Sequence, residues 1–194
     1  PKGKVTIVEI MGRDAGWIAL HSALAGGADV CVIPEIPYDP VKIAEKIETR
    51  YKNGEGFCNI VISEGAKALD GIQTGNCPTE IGDQHFKLGG VGEKLKQELL
   101  SLGVEHDIRV TVLGHLQRGG IPLAYDRILA TQFGVKAFEL VKEKKYGNLV
   151  VYRHPDISYV SLEKALEESH LVSPSQSYLV KAARGIGISF GDNI

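Results

Sequence analysis

The sequence predicts an α/β protein: a doubly wound, mainly parallel sheet with helices on both faces, in three αβα layers. Short β-branched runs alternate with helix-period stretches along the whole chain. That alternation builds parallel strands, because each helix carries the chain back before the next strand begins. Glycines and prolines stand at most of the joints, where they break one period before the next starts.

Residues 4–10 read as a buried strand. A helix follows over 14–24, with Asp14 as its expected N-cap and Gly26-Gly27 as its stop. Residues 30–33 form a short strand closed by Pro34-Glu35, 40–51 an amphipathic helix, and 59–63 the next strand. Residues 65–89 are polar and glycine-bearing without a clear period, and loops of that length are more often functional than core. A helix over 91–102, a strand over 108–113, a long helix over 123–145 and a strand over 149–152 come next. Two more helices, at 162–168 and 175–183, close the chain.

The chain has 194 residues and a formal net charge of −2. That length suffices for one or two domains with a real core. The charge argues against a nucleic-acid partner, which would demand a basic stripe. No apolar run approaches the ~20 residues of a membrane span. The 3 cysteines, Cys31, Cys58 and Cys77, are widely spaced, which argues against a zinc site or a disulfide framework and makes the cytoplasm the expected compartment. The single methionine, Met11, ends a strand, and the chain enters that strand without a leader. It reads as a portion of a longer polypeptide.

The richest stretch is Leu113-Gly114-His115-Leu116-Gln117-Arg118-Gly119-Gly120. Arg109, His115 and Arg118 are expected to crowd the end of one strand and its following turn, making an anionic site suited to a phosphorylated metabolite. A purely structural turn is the competing reading. Met11-Gly12-Arg13 repeats the theme where the first strand runs into a helix, whose N-terminal N–H groups favour an anion. A plain turn with a solvated Arg13 fits the spacing equally well. Glu64 ends an apolar strand, where a carboxylate accepts hydrogen bonds from sugar hydroxyls or caps the next turn, and Glu35 reads as structural. His21, His85, His106, His154 and His170 are scattered and take no role. No P-loop, GxGxxG, GxSxG or paired-histidine metal motif occurs.

Together, Val8-Glu9-Ile10-Met11-Gly12-Arg13-Asp14-Ala15-Gly16-Trp17, Ile33-Pro34-Glu35, Ser63-Glu64-Gly65 and the Gly114–Gly120 stretch resemble the phosphofructokinase family. Pro122 and Tyr125-Asp126-Arg127 extend the match. The resemblance implies phosphoryl transfer from ATP, or alternatively pyrophosphate, to the 1-hydroxyl of fructose 6-phosphate in glycolysis; a non-catalytic sugar-phosphate-binding fragment is the other alternative. It implies that Arg13 is catalytic and that Met11, Gly12, Arg13, Glu64, His115 and Arg118 bind substrate. It further implies that Arg109 and Lys4 reach the 6-phosphate held by a neighbouring subunit, so the complete protein is a homo-oligomer, a dimer or tetramer.

Against the family's full two-lobe fold this chain is incomplete. The resemblance puts the donor loops, the base and the groups for Mg2+ with ATP or pyrophosphate upstream of Pro1, with no metal site in this chain. The isolated chain is therefore expected to be inactive. Residues 1–119 would form the sugar-phosphate lobe, 120–158 a segment returning to the donor lobe, and 159–194 helices closing on the first lobe. The long helix at 123–145 would then carry an apolar face without a partner. Lys4 stands where the family has a second intersubunit arginine and would grip the 6-phosphate less firmly. Asn53-Gly54-Glu55-Gly56 replaces a basic effector stretch, so effector regulation is expected to be weak, and Asp29 is read as structural for want of a basic partner.

Overall fold

A computed structural model describes residues 3–69, 75–76, 87–88, 90–167 and 170–193, the pairs 75–76 and 87–88 by their backbone. Cys77 and His85 lie outside these residues, as does most of the excursion at 65–89. The chain divides into two compact units, one running to Arg118 and resuming at Leu171, the other spanning Gly119–His170.

The first unit is built on strands β1 (Lys4–Ile10), β2 (Val30–Val32), β3 (Phe57–Ser63) and, after a short antiparallel pair β4 (Gly75–Asn76) and β5 (Lys87–Leu88), β6 (Asp107–Val112). The parallel sheet has the order β2-β3-β1-β6. β1 therefore has a strand on each side, with Ile7 opposite Ile60 of β3 and Val110 of β6.

Period-2 alternation sends successive side chains of each strand into different cores. Val5, Ile7, Val30, Val32, Cys58, Ile60 and Ile62 meet helices α2 (Pro40–Lys52) and α3 (Val91–Ser101) through Ile43, Ile47, Leu95 and Leu99. Ile10, Cys31 and Ile33 face the other way. They meet α1 (Trp17–Gly26) and the chain's last helix, Tyr178–Gly185, through Leu20, Ala23, Val180 and Ala183. These are the three αβα layers that the alternation predicts. Each fully buried Ile or Leu contributes about 1.5–3 kcal/mol.

Local signals set the helix ends. Asp39 caps α2 by accepting from the Val41 N–H at 2.9 Å, and Pro40 stands at the first helical position. Gly27, with φ of 65°, ends α1 in the left-handed conformation that glycine adopts at no steric cost. α1 differs from expectation at its start. It begins at Trp17 after Gly16, and Asp14 is not its N-cap. The carboxylate at this N-terminus is Glu35, which accepts from the Gly16 N–H at 3.0 Å and also from Val172 N–H at 2.8 Å. A Cβ on Gly16 would strike Ile33, so this approach requires glycine. Glu9, buried in the middle of the sheet, plays the same part for α3, accepting from the N–H groups of Gly90 at 3.0 Å and Gly92 at 2.8 Å.

Asp29 has the basic partner that the sequence does not reveal. Its carboxylate pairs with Arg50 at 2.7 Å and accepts from the Asn59 N–H at 2.7 Å, while Arg50 also holds Glu55 at 2.6 Å. The partner lies 21 positions away, and α2 brings it across.

The second unit contains α4 (Ala124–Lys142), an antiparallel hairpin of β7 (Asn148–Arg153) and β8 (Asp156–Ser161), and α5 (Leu162–Glu167). β8 escapes a reading of the sequence because Asp-Ile-Ser-Tyr-Val-Ser breaks its apolar–polar alternation at Val160 and is short of turn signals at its end. It also divides the expected closing segment: α5 packs on β7 and β8, and only residues from Leu171 onward belong to the first unit. The last helix of the chain, Tyr178–Gly185, is α6. On α4, Leu140 is the buried residue, whereas Tyr125, Ile128, Val135, Phe138 and Val141 are exposed. Among the described residues no helix is long and apolar enough to cross a membrane.

Cys31 and Cys58 are buried free thiols. Burial, with Glu35 nearby, pushes Cys31 up to about 12, and burial with Asp29 nearby does the same to Cys58. A raised thiol pKa withholds the reactive thiolate at pH 8. Site-resolved alkylation at pH 8 should therefore label both at least about a hundredfold more slowly in the native protein than in urea. Labelling at equal rates would contradict this packing.

Candidate functional site

β1 is followed by α1 on one face of the sheet, and β3 leads to α3 on the other. Adjacent strands whose connections leave to opposite faces open a crevice at their carboxyl ends, the usual ligand position in such sheets. Met11-Gly12-Arg13 follows β1 and Glu64 follows β3, so both line this switch point. On the other side of β1, β6 ends in a 3-10 helix at Gly114–Arg118 that carries His115 and Arg118.

The backbone knits these loops together. Glu64 N–H donates to Ile10 O at 2.9 Å, Gly65 N–H to Gly12 O at 3.0 Å, and Leu113 N–H to Glu9 O at 3.0 Å. The Glu64 carboxylate stands 3.5 Å from the Gly12 N–H, at the long limit of a hydrogen bond. Met11 N–H donates to the Gln117 side-chain carbonyl at 2.7 Å. Arg13, His115 and Arg118 sit toward solvent, while Met11, Gly12 and Glu64 are half-buried. The site is thus an open shelf whose neighbouring loops carry two guanidinium groups, an imidazole and a carboxylate.

Two glycines make this approach possible. Gly12 has φ of 148°, and a Cβ there would come within 2.9 Å of Ser63 Oγ. A Cβ on Gly65 would fall onto the Arg13 carbonyl. Ser63 Oγ itself is buried and has no hydrogen-bond partner among the described residues.

Lys4 and Arg109 stand elsewhere. Lys4 opens β1 opposite Asp107, and Arg109 is opposite Thr6, toward the amino ends of the strands. Strand residues rise about 3.3 Å each, so Arg109 sits roughly 10 Å before the last residue of β6. It does not join His115 and Arg118, because the extended strand holds them apart. Its guanidinium instead pairs with Asp107, Nε and Nη2 each 3.0 Å from Oδ2. The N-terminus of α1 is likewise no vacant anion seat, since the Glu35 carboxylate occupies it.

The sequence alone assigns no role to Gln117, Ser63 or Glu9. Gln117 is visible between His115 and Arg118, but nothing in the chain order tells that its side chain turns back to Met11. Among the described residues, no group of three His, Cys, Asp or Glu side chains could hold a metal ion.

A family profile described as Phosphofructokinase matches residues 2–141 of this site-bearing chain. The chain belongs to the phosphofructokinase family. It is 46% identical to the ATP-dependent 6-phosphofructokinase 2 of Clostridium perfringens over 97% of its own length and 51% of that enzyme. It is 43% identical to the ATP-dependent 6-phosphofructokinase of Chloroflexus aurantiacus over 98% of its length and 51% of that enzyme. The chain thus spans about half the length of the curated relatives it matches. Among solved structures, the pyrophosphate-dependent phosphofructokinase from Marinobacter aquaeolei superposes with a TM-score of 0.70 at 25% identity, over 96% of this chain and 47% of that one. The phosphofructokinase of Pichia pastoris in the T-state gives 0.67 at 29% identity, over 96% and 19%.

The Gly65 contact is sharp enough to test alone. Gly65→Ala should destabilise the protein by about 1–3 kcal/mol in urea unfolding, because methyl and carbonyl cannot both stay where they are. An unchanged midpoint would show that the loop yields at no cost.

Proposed function

We propose that this chain is the fructose 6-phosphate-binding part of an ATP-dependent 6-phosphofructokinase working in glycolysis. The observation that carries the reading is the convergence of Arg13, Glu64, His115 and Arg118 on neighbouring loops at the switch point of a sheet. A sugar phosphate needs donors for its phosphate and acceptors for its hydroxyls, and this shelf supplies both.

The roles follow from the chemistry of each group. His115 and Arg118 hold fructose 6-phosphate, Arg118 through a planar fork that matches phosphate oxygens in pairs. The Glu64 carboxylate accepts hydrogen bonds from the sugar hydroxyls, and Met11 and Gly12 bring the backbone against the sugar. Arg13 is the catalytic residue. Its charge offsets the negative charge spreading over the equatorial oxygens of the transferring phosphoryl group, the main task in such a reaction. Arg109 and Lys4, at the opposite edge of the sheet, serve the 6-phosphate of a neighbouring subunit's substrate, which makes the working protein a homo-oligomer, dimer or tetramer. Asp107 holds the Arg109 guanidinium meanwhile.

The curated relatives are named as ATP-dependent enzymes, which favours ATP as donor. Pyrophosphate is the alternative, and the name of the Marinobacter aquaeolei enzyme supports keeping it. Mg2+ with the donor nucleotide belongs to groups outside this chain, and the cytoplasm suits a glycolytic enzyme. In this reading the first unit is most of the sugar-phosphate lobe, and the second returns toward the donor lobe. Helices apolar on several sides are ordinarily covered on several sides. The exposed Ile128, Val135 and Phe138 of α4 are the surface that the rest of that lobe would cover.

Arg118→Ala, made in the protein as its gene encodes it, should raise the fructose 6-phosphate KM at least about tenfold, since hydrogen bonds to charged groups contribute about 1.5–3 kcal/mol. An unchanged KM would reject the role of Arg118. The purified 194-residue chain alone should show no phosphorylation of fructose 6-phosphate with ATP or pyrophosphate. Turnover in that assay would mean that the donor groups lie within it.

A further inference from the structure

We propose that Gln117 is a positioning residue, whose side-chain carbonyl latches the Met11–Arg13 segment to the turn that carries His115 and Arg118. The inference rests on the fructose 6-phosphate reading above.

The hydrogen-bond ladder shows why a latch is required. Leu113 N–H to Glu9 O is the final rung on the β6 side of β1, whereas on the β3 side Glu64 N–H to Ile10 O is followed by Gly65 N–H to Gly12 O. Past these bonds, among the described residues, no backbone hydrogen bond ties the β1 chain to the β6 side, and Met11 is the first residue of the β1 chain past the sheet. Its N–H is met by Gln117 Oε1 at 2.7 Å, from 106 residues further along the chain. Among the described residues this is the one hydrogen bond joining the 3-10 turn to Met11, Gly12 or Arg13.

Among the described residues no other hydrogen bond anchors the turn's far end to that segment. Leu116, Gln117 and Arg118 are all exposed, Leu116 at 78%, so packing does not fix them. Glycines follow at 119 and 120. Between the acceptor-holding pair, His115 and Arg118, and the proposed catalytic Arg13, the Gln117 amide is the direct tie. Its orientation is also set. A backbone N–H can only donate, so the amide must present its oxygen to Met11, and the side chain's NH2 points away from that bond. The requirement is for an acceptor of glutamine's length.

Losing the tie leaves each substrate-binding group on its own loop and the Gly12 segment bonded to Gly65, but lets the exposed turn that carries His115 and Arg118 shift relative to Arg13. Misplacement of a catalytic group by about 1 Å can cost up to a hundredfold in rate. The partly solvated bond here should therefore appear in kcat more than in KM.

The test uses the protein as its gene encodes it, with substitutions at Gln117 only. Gln117→Leu should lower kcat about tenfold and change the fructose 6-phosphate KM by less than about threefold. Gln117→Glu keeps the acceptor, so its kcat at saturating substrate should stay within about threefold of the wild type, while its charge raises KM. Hydrogen exchange at the Met11 amide supplies a readout apart from activity: faster in Gln117→Leu, unchanged in Gln117→Glu. Where the leucine variant fails to fold, Gln117→Asn, polar but one methylene too short, should show the same loss. A wild-type kcat in Gln117→Leu or Gln117→Asn, or a Met11 amide that exchanges no faster, overturns the latch while leaving the functional reading intact. A wild-type protein that does not phosphorylate fructose 6-phosphate overturns both.

Discussion

Everything at this site depends on β1 being hydrogen-bonded along both edges and covered on both faces. Its register with β3 and β6 is parallel on each side, and a parallel sheet has all its carboxyl ends along one margin. Slipping β1 by one residue would turn Ile7 from one core into the other and move Met11-Gly12-Arg13 by a full strand position. The apolar alternation that buries Val5 and Ile7 is therefore also what holds Arg13 near Glu64. Stability and site geometry draw on the same residues here.

Buried carboxylates extend that control outward from the sheet. Glu9 leaves β1 to meet the start of α3, and Glu35 meets the start of α1. Each places carboxylate oxygens where a helix presents N–H groups without intrahelical partners, the arrangement the helix dipole favours. A helix N-terminus is often read as a seat for a ligand anion. In this chain protein carboxylates fill those seats at α1 and α3.

Much of this is legible in the chain itself. Strand and helix periods locate β1, β2, β3, β6 and the helices to within a few residues, because each element carries its own apolar period. The loops bearing Arg13, Glu64, His115 and Arg118 can be read as strand ends because glycine clusters interrupt the period there. What cannot be read are contacts between distant positions. Asp29 looks unpartnered because Arg50 reaches it only once α2 is packed. Arg109 looks like a neighbour of His115 when adjacency in sequence is taken for adjacency in space, whereas an extended strand separates what a helix would bring near. β8 is hidden because its period-2 pattern is short and breaks at Val160. Gln117 offers no signal at all beyond its place in the turn.

The first unit is discontinuous, and its last piece is not ornamental. Ser189 bridges to Val30 and accepts from the Cys31 N–H at 2.8 Å, Gly191 accepts from the Asp39 N–H at 2.6 Å, and Val172 shares the carboxylate that caps α1. A ribosome releases these residues only after the whole of Gly119–His170 has emerged. During synthesis the edge strand β2 must therefore wait, with its outer backbone unpaired, until the tail arrives. The nascent chain carries an open sheet edge for the time needed to translate that intervening segment, and unpaired edges are where chains stick to one another. Growth on the ribosome, more than the finished protein, is where this fold is exposed to misassembly.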